Sequence, residues 1–135
     1  MYEGGSTATE GRAEVILSVP ADSAYLSVVR TAAAGLGARL DFTVDEIEDL
    51  RIAVDEACVL LLSQARKDAA VRVGFTLGVN SLRVRAAVSC NRPRVPSRDG
   101  FSWTVLDALT TSLDMDVEGS DLVITLDRAR APVER

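Results

Sequence analysis

The sequence predicts an α/β two-layer sandwich in which three helices cover one face of a largely antiparallel sheet. A long amphipathic helix is indicated from Thr43 to Ala65, and short segments of alternating apolar residues flank it on both sides. The elements follow the order strand, helix, long helix, strand, strand, loop, helix, strand, strand. With 135 residues and 47 % hydrophobic residues, the chain suits one domain, 13–127, between a flexible tail at 1–12 and a charged tail at 128–135.

The N-terminal part is predicted to form a strand and then a helix. Ala13 to Val19 combines alternation with a β-branched run, which is typical of a strand. Asp22 or Ser23 can cap a helix that begins at Ala24 and ends near Ala38. Its apolar residues recur at three- and four-residue steps and are expected to face inward: Tyr25, Val29, Ala32, Ala33 and Leu36.

The long helix has a specified start and a specified buried face. Thr43 and Glu46 have the spacing of a capping box, in which each side chain accepts a hydrogen bond from the other residue's backbone N–H. The apolar residues of the helix form a single stripe: Ile47, Leu50, Val54, Ala57, Cys58, Leu61 and Ala65. Such a stripe must be buried against another element, so this helix is expected to organise the core.

Two strands follow the long helix and are predicted to form a hairpin. Val71 to Gly78 and Leu82 to Ser89 both alternate between apolar and polar residues, as half-buried strands do. Asn80 and Ser81 lie between them, and asparagine tolerates a positive φ. We therefore expect Asn80 to turn the chain.

The C-terminal part is predicted to contain a loop, a helix and two strands. Asn91 to Asp99 holds two prolines, so it is expected to be a loop. A helix is expected from Phe101 to about Leu113, with Trp103 packed at the edge of the core. Strands are expected over Asp114 to Val117 and Leu122 to Leu126. The residues of this helix expected to face inward are Phe101, Val105, Ala108 and Leu109.

Several charged residues are candidates for a functional role. Glu56 lies between Asp55 and Ala57 on the long helix, and it is either a solvated charge beside the stripe or a carboxylate held in a cleft. Arg30 flanks the stripe of the first helix in the same way. The arginines of the predicted loop can be solvated or can contact an anion or an acidic partner: Arg92, Arg94 and Arg98.

Composition excludes several functional classes. The net charge of −5 argues against a nucleic-acid surface, and no apolar stretch is long enough for a membrane span or a signal peptide, so we expect a cytoplasmic protein. The absence of histidine removes a triad base and an imidazole metal ligand. Cys58 lies about 200° around the helix from Glu56 and should face the core. Both Cys58 and Cys90 are expected to remain packed, reduced thiols.

Three segments resemble a known family, and the first is the helix after Pro20, with Leu26, Val29 and Arg30. RIAVDEACVLLLSQA, Arg51 to Ala65, resembles the N box of the GHKL ATPase fold in the form found in RsbW-like anti-sigma factors and serine kinases. GFSWTVLDAL, Gly100 to Leu109, is similar to the helix after the ATP lid in actinobacterial sigma-F-type anti-sigma factors. The resemblance covers about residues 13 to 126. It implies a histidine-kinase-like ATPase fold in which a glutamate acts as general base and an asparagine holds Mg²⁺.

The chain departs from this pattern at two places. The family acid falls on Glu56, but the family asparagine falls on Leu60, which cannot ligate a metal. The family's Asp-x-Gly-x-Gly box should fall within Val88 to Arg94, where this chain reads VSCNRPR. Asn91 and Gly100 are then the only weak candidates for nucleotide contact. We expect no metal site and a degenerate nucleotide site, with binding of ATP and Mg²⁺ still possible.

The resemblance implies two functional classes. In the favoured one, the chain is an anti-sigma factor that sequesters a sigma factor during a stress response and is released by an anti-anti-sigma protein of the STAS type. Arg30 and Glu56 would then bind the partner, and a homodimer is compatible with this function. In the alternative, the chain is an ATP-dependent serine kinase that phosphorylates the anti-anti-sigma factor, with Glu56 as its catalytic base.

Overall fold

The computed structural model describes residues 13–132. The elements are β1 (Ala13–Pro20), α1 (Leu26–Arg39), α2 (Val44–Gln64), β2 (Ala70–Leu77), β3 (Ser81–Ser89), α3 (Phe101–Leu109), β4 (Ser112–Glu118) and β5 (Asp121–Ala129). The predicted order of elements is confirmed. The predicted tail at 1–12 and the last three residues of the predicted tail at 128–135 lie outside the described residues. None of the helices between residues 13 and 132 has both the length and the apolar character that a membrane span needs.

The sheet has five strands in the order β1-β2-β3-β5-β4, and every neighbouring pair is antiparallel. β1 and β4 are therefore its two edges. Alternate residues of the central strands point to the helices and are fully buried: Val71, Val73, Phe75, Leu82, Val84, Val88, Leu122, Ile124 and Leu126. The three helices pack on this face, which confirms the predicted two-layer sandwich.

The predicted capping box at the start of α2 is confirmed. The Glu46 N–H donates to Thr43 Oγ1 at 3.1 Å, and the Thr43 N–H donates to Glu46 Oε1 at 2.8 Å. Two of the free N–H groups at the helix start are thereby satisfied. The predicted stripe also faces inward, since Leu50, Val54 and Leu61 have almost no solvent exposure.

The Glu46 carboxylate also binds the chain beyond the last strand. The Ala131 N–H donates to Glu46 Oε2 at 2.6 Å, so one carboxylate joins the start of α2 to the segment after β5. The side chain is buried, with 5 % exposure. The hydrogen bonds from the Thr43 and Ala131 backbones hold the pKa of Glu46 below its usual range, and they outweigh the opposing effect of burial.

Two arginines bind the end of β5 and the residue after it to other elements, and they correct the predicted end of the domain. β5 continues through Ala129, although we predicted a strand ending at Leu126 and a tail from residue 128. Arg128 donates to the Leu109 carbonyl at the end of α3 at 2.9 Å. Arg130 donates to Asn80 Oδ1 at 2.7 Å. Residues 128–131 are therefore part of the folded domain.

The first helix begins in a different phase from the one predicted. Asp22 accepts from the Ala24 N–H at 2.9 Å, but residues Ser23–Tyr25 form a 3₁₀ turn before α1 begins. This turn advances each residue further around the axis than an α-helix does. Leu26 therefore occupies the inward position predicted for Tyr25, which is 45 % exposed.

α1 approaches α2 closely at Gly37. A side chain on Gly37 would lie 3.3 Å from both Ile47 and Leu50 of α2, so only glycine fits without displacing them. The chain then reverses through Asp41, which has a positive φ of 62°. This contact brings the two helices together at the end where α2 begins.

Two other local predictions are wrong. Asn80 does not have the expected positive φ, since among residues 13–132 the non-glycine residues with a positive φ are Asp41 and Asp68. The link between β2 and β3 has three residues, and a hydrogen bond of 2.8 Å from the Gly78 N–H to the Ser81 carbonyl closes it. The last helix ends at Leu109, not near Leu113, because the Thr111 N–H already pairs with Asp127 O at 2.7 Å.

The inward face of α3 also differs from the prediction. Leu106 is its fully buried residue, whereas Phe101 is 79 % exposed and Ala108 is also exposed. Trp103 is partly buried against the core, as expected for an edge packer. The exposed position of Phe101 leaves an aromatic ring on the surface at the start of α3.

Within residues 13–132, ion pairs and no helix cover the opposite face of the sheet. Arg83 makes two hydrogen bonds to the Asp127 carboxylate, at 2.8 and 3.0 Å, and this contact holds the pKa of Asp127 below its usual range. Two further pairs cross from one strand to another: Arg72 with Asp121 and Arg85 with Glu118. This face is thus a polar surface in contact with solvent.

We expect Glu46→Gln to lower the free energy of unfolding at pH 7 by about 1–3 kcal/mol, because two backbone N–H groups lose their charged acceptor. The folded-state pKa of Glu46 lies below the unfolded value of about 4.3, so its contribution is present above that pH. The contribution is lost as the pH falls through the folded-state pKa. Urea denaturation at pH 7 and at lower pH measures both effects.

Glu48→Gln is the matched control for this prediction, since Glu48 lies in the same turn and pairs only with the exposed Arg51 in the described part of the chain. We expect a change below about 0.5 kcal/mol for Glu48→Gln. Equal losses in the two variants would contradict the role of Glu46.

Candidate functional site

The candidate site lies on α2, where two neighbouring acids contact different helices. Asp55 points towards α1 and accepts from Arg30 Nη1 at 2.5 Å. The side chains of this pair are 35 % and 41 % exposed, so the contact is only partly shielded from water. In the structure, the predicted site residue Arg30 contacts Asp55, and the second predicted site residue, Glu56, has a different partner.

Glu56 points to the other side of α2, towards α3. Its Oε2 accepts from Ser102 Oγ at 2.5 Å in a partly buried contact. The carboxylate is thus held by a hydroxyl of the neighbouring helix and is not simply solvated at the edge of the stripe. Sequence reasoning missed Ser102 because 46 residues separate it from Glu56. The only signal in the sequence for this contact was a serine at the second position of the helix that follows Gly100.

Leu60 lies one turn after Glu56, on the same face of α2. Its side chain is partly buried and packs against the hydrophobic core. Residues at i and i+4 of a helix are neighbours, so a ligand at Glu56 would meet the methyl groups of Leu60. This position therefore offers apolar contact where the resemblance requires an oxygen ligand.

The loop between β3 and α3 is fixed to the end of α2. The Gln64 side chain donates to the Arg94 carbonyl and accepts from the Arg94 N–H, both at 2.9 Å. A β-bridge between Ala65 and Cys90 lies next to this contact. Asn91, a weak candidate for nucleotide contact, is exposed at the start of the loop.

Gly100, the other weak candidate, lies at the end of this loop and is the N-cap of α3, two residues before Ser102. The structure therefore brings Gly100 near Glu56 through Ser102.

Both cysteines are buried, as predicted. Cys58 and Cys90 are each 1 % exposed, and neither forms a disulfide. Burial, followed by the negative charge of Asp55, raises the pKa of Cys58 to about 12. The Cys58 thiol is therefore neutral at physiological pH and acts as a packed side chain.

The fold and this site define a class of protein. A capped helix carries an acid at its edge, packs on one face of an antiparallel sheet and joins a second, glycine-opened helix. This is the arrangement of the GHKL, or histidine-kinase-like, ATPase fold.

Comparison with known proteins gives the family. The chain is 34 % identical over 128 residues to the anti-sigma-F factor RsbW of Mycobacterium tuberculosis, an alignment covering 90 % of this chain and 76 % of that relative. The serine-protein kinases RsbW of Bacillus thuringiensis and Bacillus anthracis are 30 % identical over 78 residues, covering 58 % of this chain and 49 % of each relative. No protein-family model matches the chain. The chain belongs to the RsbW family.

The hydrogen bond between Glu56 and Ser102 can be measured by a double-mutant cycle. We expect Glu56→Ala, Ser102→Ala and the double variant to give a coupling energy of about 1 kcal/mol in the free energy of unfolding, because the contact is charge-assisted and partly buried. Guanidinium denaturation of the four proteins supplies the values.

The exposed pair Glu48 and Arg51 is a matched cycle on the same helix. Its coupling energy should be smaller, about 0.3–0.5 kcal/mol. A coupling near zero between Glu56 and Ser102 would show that the two side chains act independently in solution.

Proposed function

We propose that this chain is an anti-sigma factor that acts by binding a sigma factor and not by chemistry. The observation that carries this proposal is the surroundings of Glu56 on α2. Ser102 donates a hydrogen bond to the Glu56 carboxylate, and Leu60 occupies the next position on the same face of the helix. Membership in a family that includes an anti-sigma-F factor supports it. Release by a competing anti-anti-sigma protein of the STAS type is part of the same proposal.

The residues at the candidate site do not fit Mg·ATP. Magnesium needs oxygen ligands in octahedral geometry, and Leu60 offers none. In the family, the aspartate of the Asp-x-Gly-x-Gly box contacts the adenine. The segment from Val88 to Arg94 has no carboxylate for this contact, and its Cys90 is buried in the core. We therefore derive no catalytic step through a nucleotide.

The proposed surface for the sigma factor lies where α1 meets α2. Ile52 and Val59 occupy the same side of α2 as Asp55, three residues before it and four residues after it. They are 43 % and 48 % exposed, so apolar area flanks the Arg30–Asp55 pair. A half-exposed arginine beside exposed aliphatic side chains is typical of a protein-binding surface. Arg30 remains a proposed partner-binding residue of this surface, whereas Glu56 faces Ser102 on α3 and lies outside it.

An ATP-dependent serine kinase acting on an anti-anti-sigma factor is the second candidate. It is favoured by the Bacillus relatives, which are named serine-protein kinases, and by the glutamate at the position of the family acid. In that case Glu56 would be the general base, acting through the carboxylate oxygen that Ser102 leaves free.

We expect Arg30→Glu to weaken binding to the cognate sigma factor by about 2–5 kcal/mol, mainly through faster dissociation. The reason is that a carboxylate of the sigma factor would lose the arginine with which it pairs in the interface. Surface plasmon resonance against the purified sigma factors of the same genome measures this loss. Circular dichroism and thermal melting establish that the variant is folded.

Two control variants sharpen this test. Arg39→Glu makes the same charge change at an exposed arginine of α1, nine residues after Arg30 and therefore about half a turn away around the helix, and should leave the affinity unchanged. Arg30→Glu combined with Asp55→Arg restores an internal ion pair, yet binding should stay weak if Arg30 contacts the sigma factor directly. Full recovery in that double variant would instead give Arg30 a positioning role. Absence of binding to every sigma factor would refute the proposed function.

We also expect no stabilisation by Mg·ATP. A ligand at about 100 times its Kd would stabilise the fold by roughly 2.7 kcal/mol and raise Tm by several degrees. Differential scanning fluorimetry with millimolar Mg·ATP tests this, with a Bacillus RsbW kinase as positive control. A clear shift that disappears in Glu56→Ala would favour the kinase.

A further inference from the structure

The loop from Asn91 to Asp99 is a fixed surface and not an unsupported connection. At its start, the Gln64 side chain makes two hydrogen bonds to the backbone of Arg94, each 2.9 Å long. At its end, the Asp99 N–H donates to Ser97 Oγ at 3.1 Å, and the Gly100 N–H donates to Ser97 O at 3.2 Å. The backbone of this loop is therefore held in a defined arrangement, which lowers the entropy lost on binding.

The arginines of this loop differ from most others in the protein. Arg92, Arg94 and Arg98 are exposed, and none forms an ion pair with any other residue in the range 13–132. Seven other arginines in that range are paired with carboxylates: Arg30, Arg51, Arg72, Arg83, Arg85, Arg128 and Arg130. The loop also carries one exposed acid, Asp99, so three arginines against one aspartate leave it locally positive in a chain with a net charge of −5.

Apolar side chains accompany these charges. Phe101 follows the loop and is 79 % exposed, and Val95 within the loop is 46 % exposed. The Arg98 guanidinium lies 4.6 Å from the centroid of the partly buried Trp103 ring, which fixes its orientation by a cation–π contact. Exposed aromatic and arginine side chains are the groups enriched at the centres of protein interfaces.

We propose that this arginine-loop surface, formed by Arg92, Arg94, Val95, Arg98 and Phe101, docks an acidic segment of a protein partner that carries an aromatic or aliphatic anchor. Carboxylates of the segment pair with the unpaired guanidinium groups, and its anchor packs on Phe101 and Val95. A nucleic acid is disfavoured because three cations in an acidic chain provide little counterion release. The surface is separate from Arg30 and does not depend on the identity of the sigma factor.

Fluorescence anisotropy with a labelled peptide tests this surface on the full chain. The probe is a twelve-residue peptide of glutamate and aspartate with two phenylalanines, and a version with lysine in place of each acid is its control. We expect a Kd below about 100 μM for the acidic peptide, rising about five- to tenfold in Arg92→Glu and in Arg94→Glu. Phe101→Ser should weaken binding to a similar extent.

Matched variants make the outcomes decisive. Arg39→Glu, at an exposed arginine of α1, and Val44→Ser, at an 81 % exposed residue of α2, should bind like the wild type. No binding at millimolar peptide, or binding that the loop variants leave unchanged, would overturn the proposal. Equally tight binding of a single-stranded oligonucleotide would overturn the proposal in favour of a nucleic-acid ligand for this surface. None of these results depends on whether a sigma factor binds at Arg30.

Discussion

The position of the long helix depends on one carboxylate that serves two segments of the chain. Glu46 completes the cap of α2 and accepts from the Ala131 backbone, although 85 residues separate the two. α2 lies between α1 and α3 and touches the centre of the sheet through β3 and β5. Because both candidate acids project from α2, the geometry of the site follows from how firmly its start is anchored.

Asp55 and Glu56 show how the same helix connects the whole helical layer. One acid reaches Arg30 on α1, and the other reaches Ser102 on α3. Such side-chain contacts are individually modest, but together they fix the relative positions of three helices. The Ser102 contact occupies one oxygen of the Glu56 carboxylate and leaves its second oxygen available to a partner.

Local patterns predicted the elements, but they could not predict the contacts at the site. The capping box of α2 and the alternation in β2 and β3 depend on neighbouring residues, so the sequence was sufficient for them. The pairing of Arg30 with Asp55 spans 25 residues and depends on how α1 and α2 cross at Gly37. Tyr25 was assigned to the wrong face because it lies in the 3₁₀ turn that precedes α1, whereas Val29 and Ala33 within α1 face inward as predicted. The missing metal ligand at Leu60, in contrast, could be predicted from the sequence, because a leucine side chain has no atom that can bind a metal.

The two edges of the sheet differ in a way that limits how copies of this chain could associate. β4 carries exposed acids at alternate positions, Asp114 and Asp116, so two such edges repel one another. β1 carries exposed Val15 and Ile16 on its edge, and Ile16 is 74 % exposed. Pairing of one β1 edge with another would therefore leave β4 at both ends of the joined sheet, where the acids oppose a further β4–β4 contact.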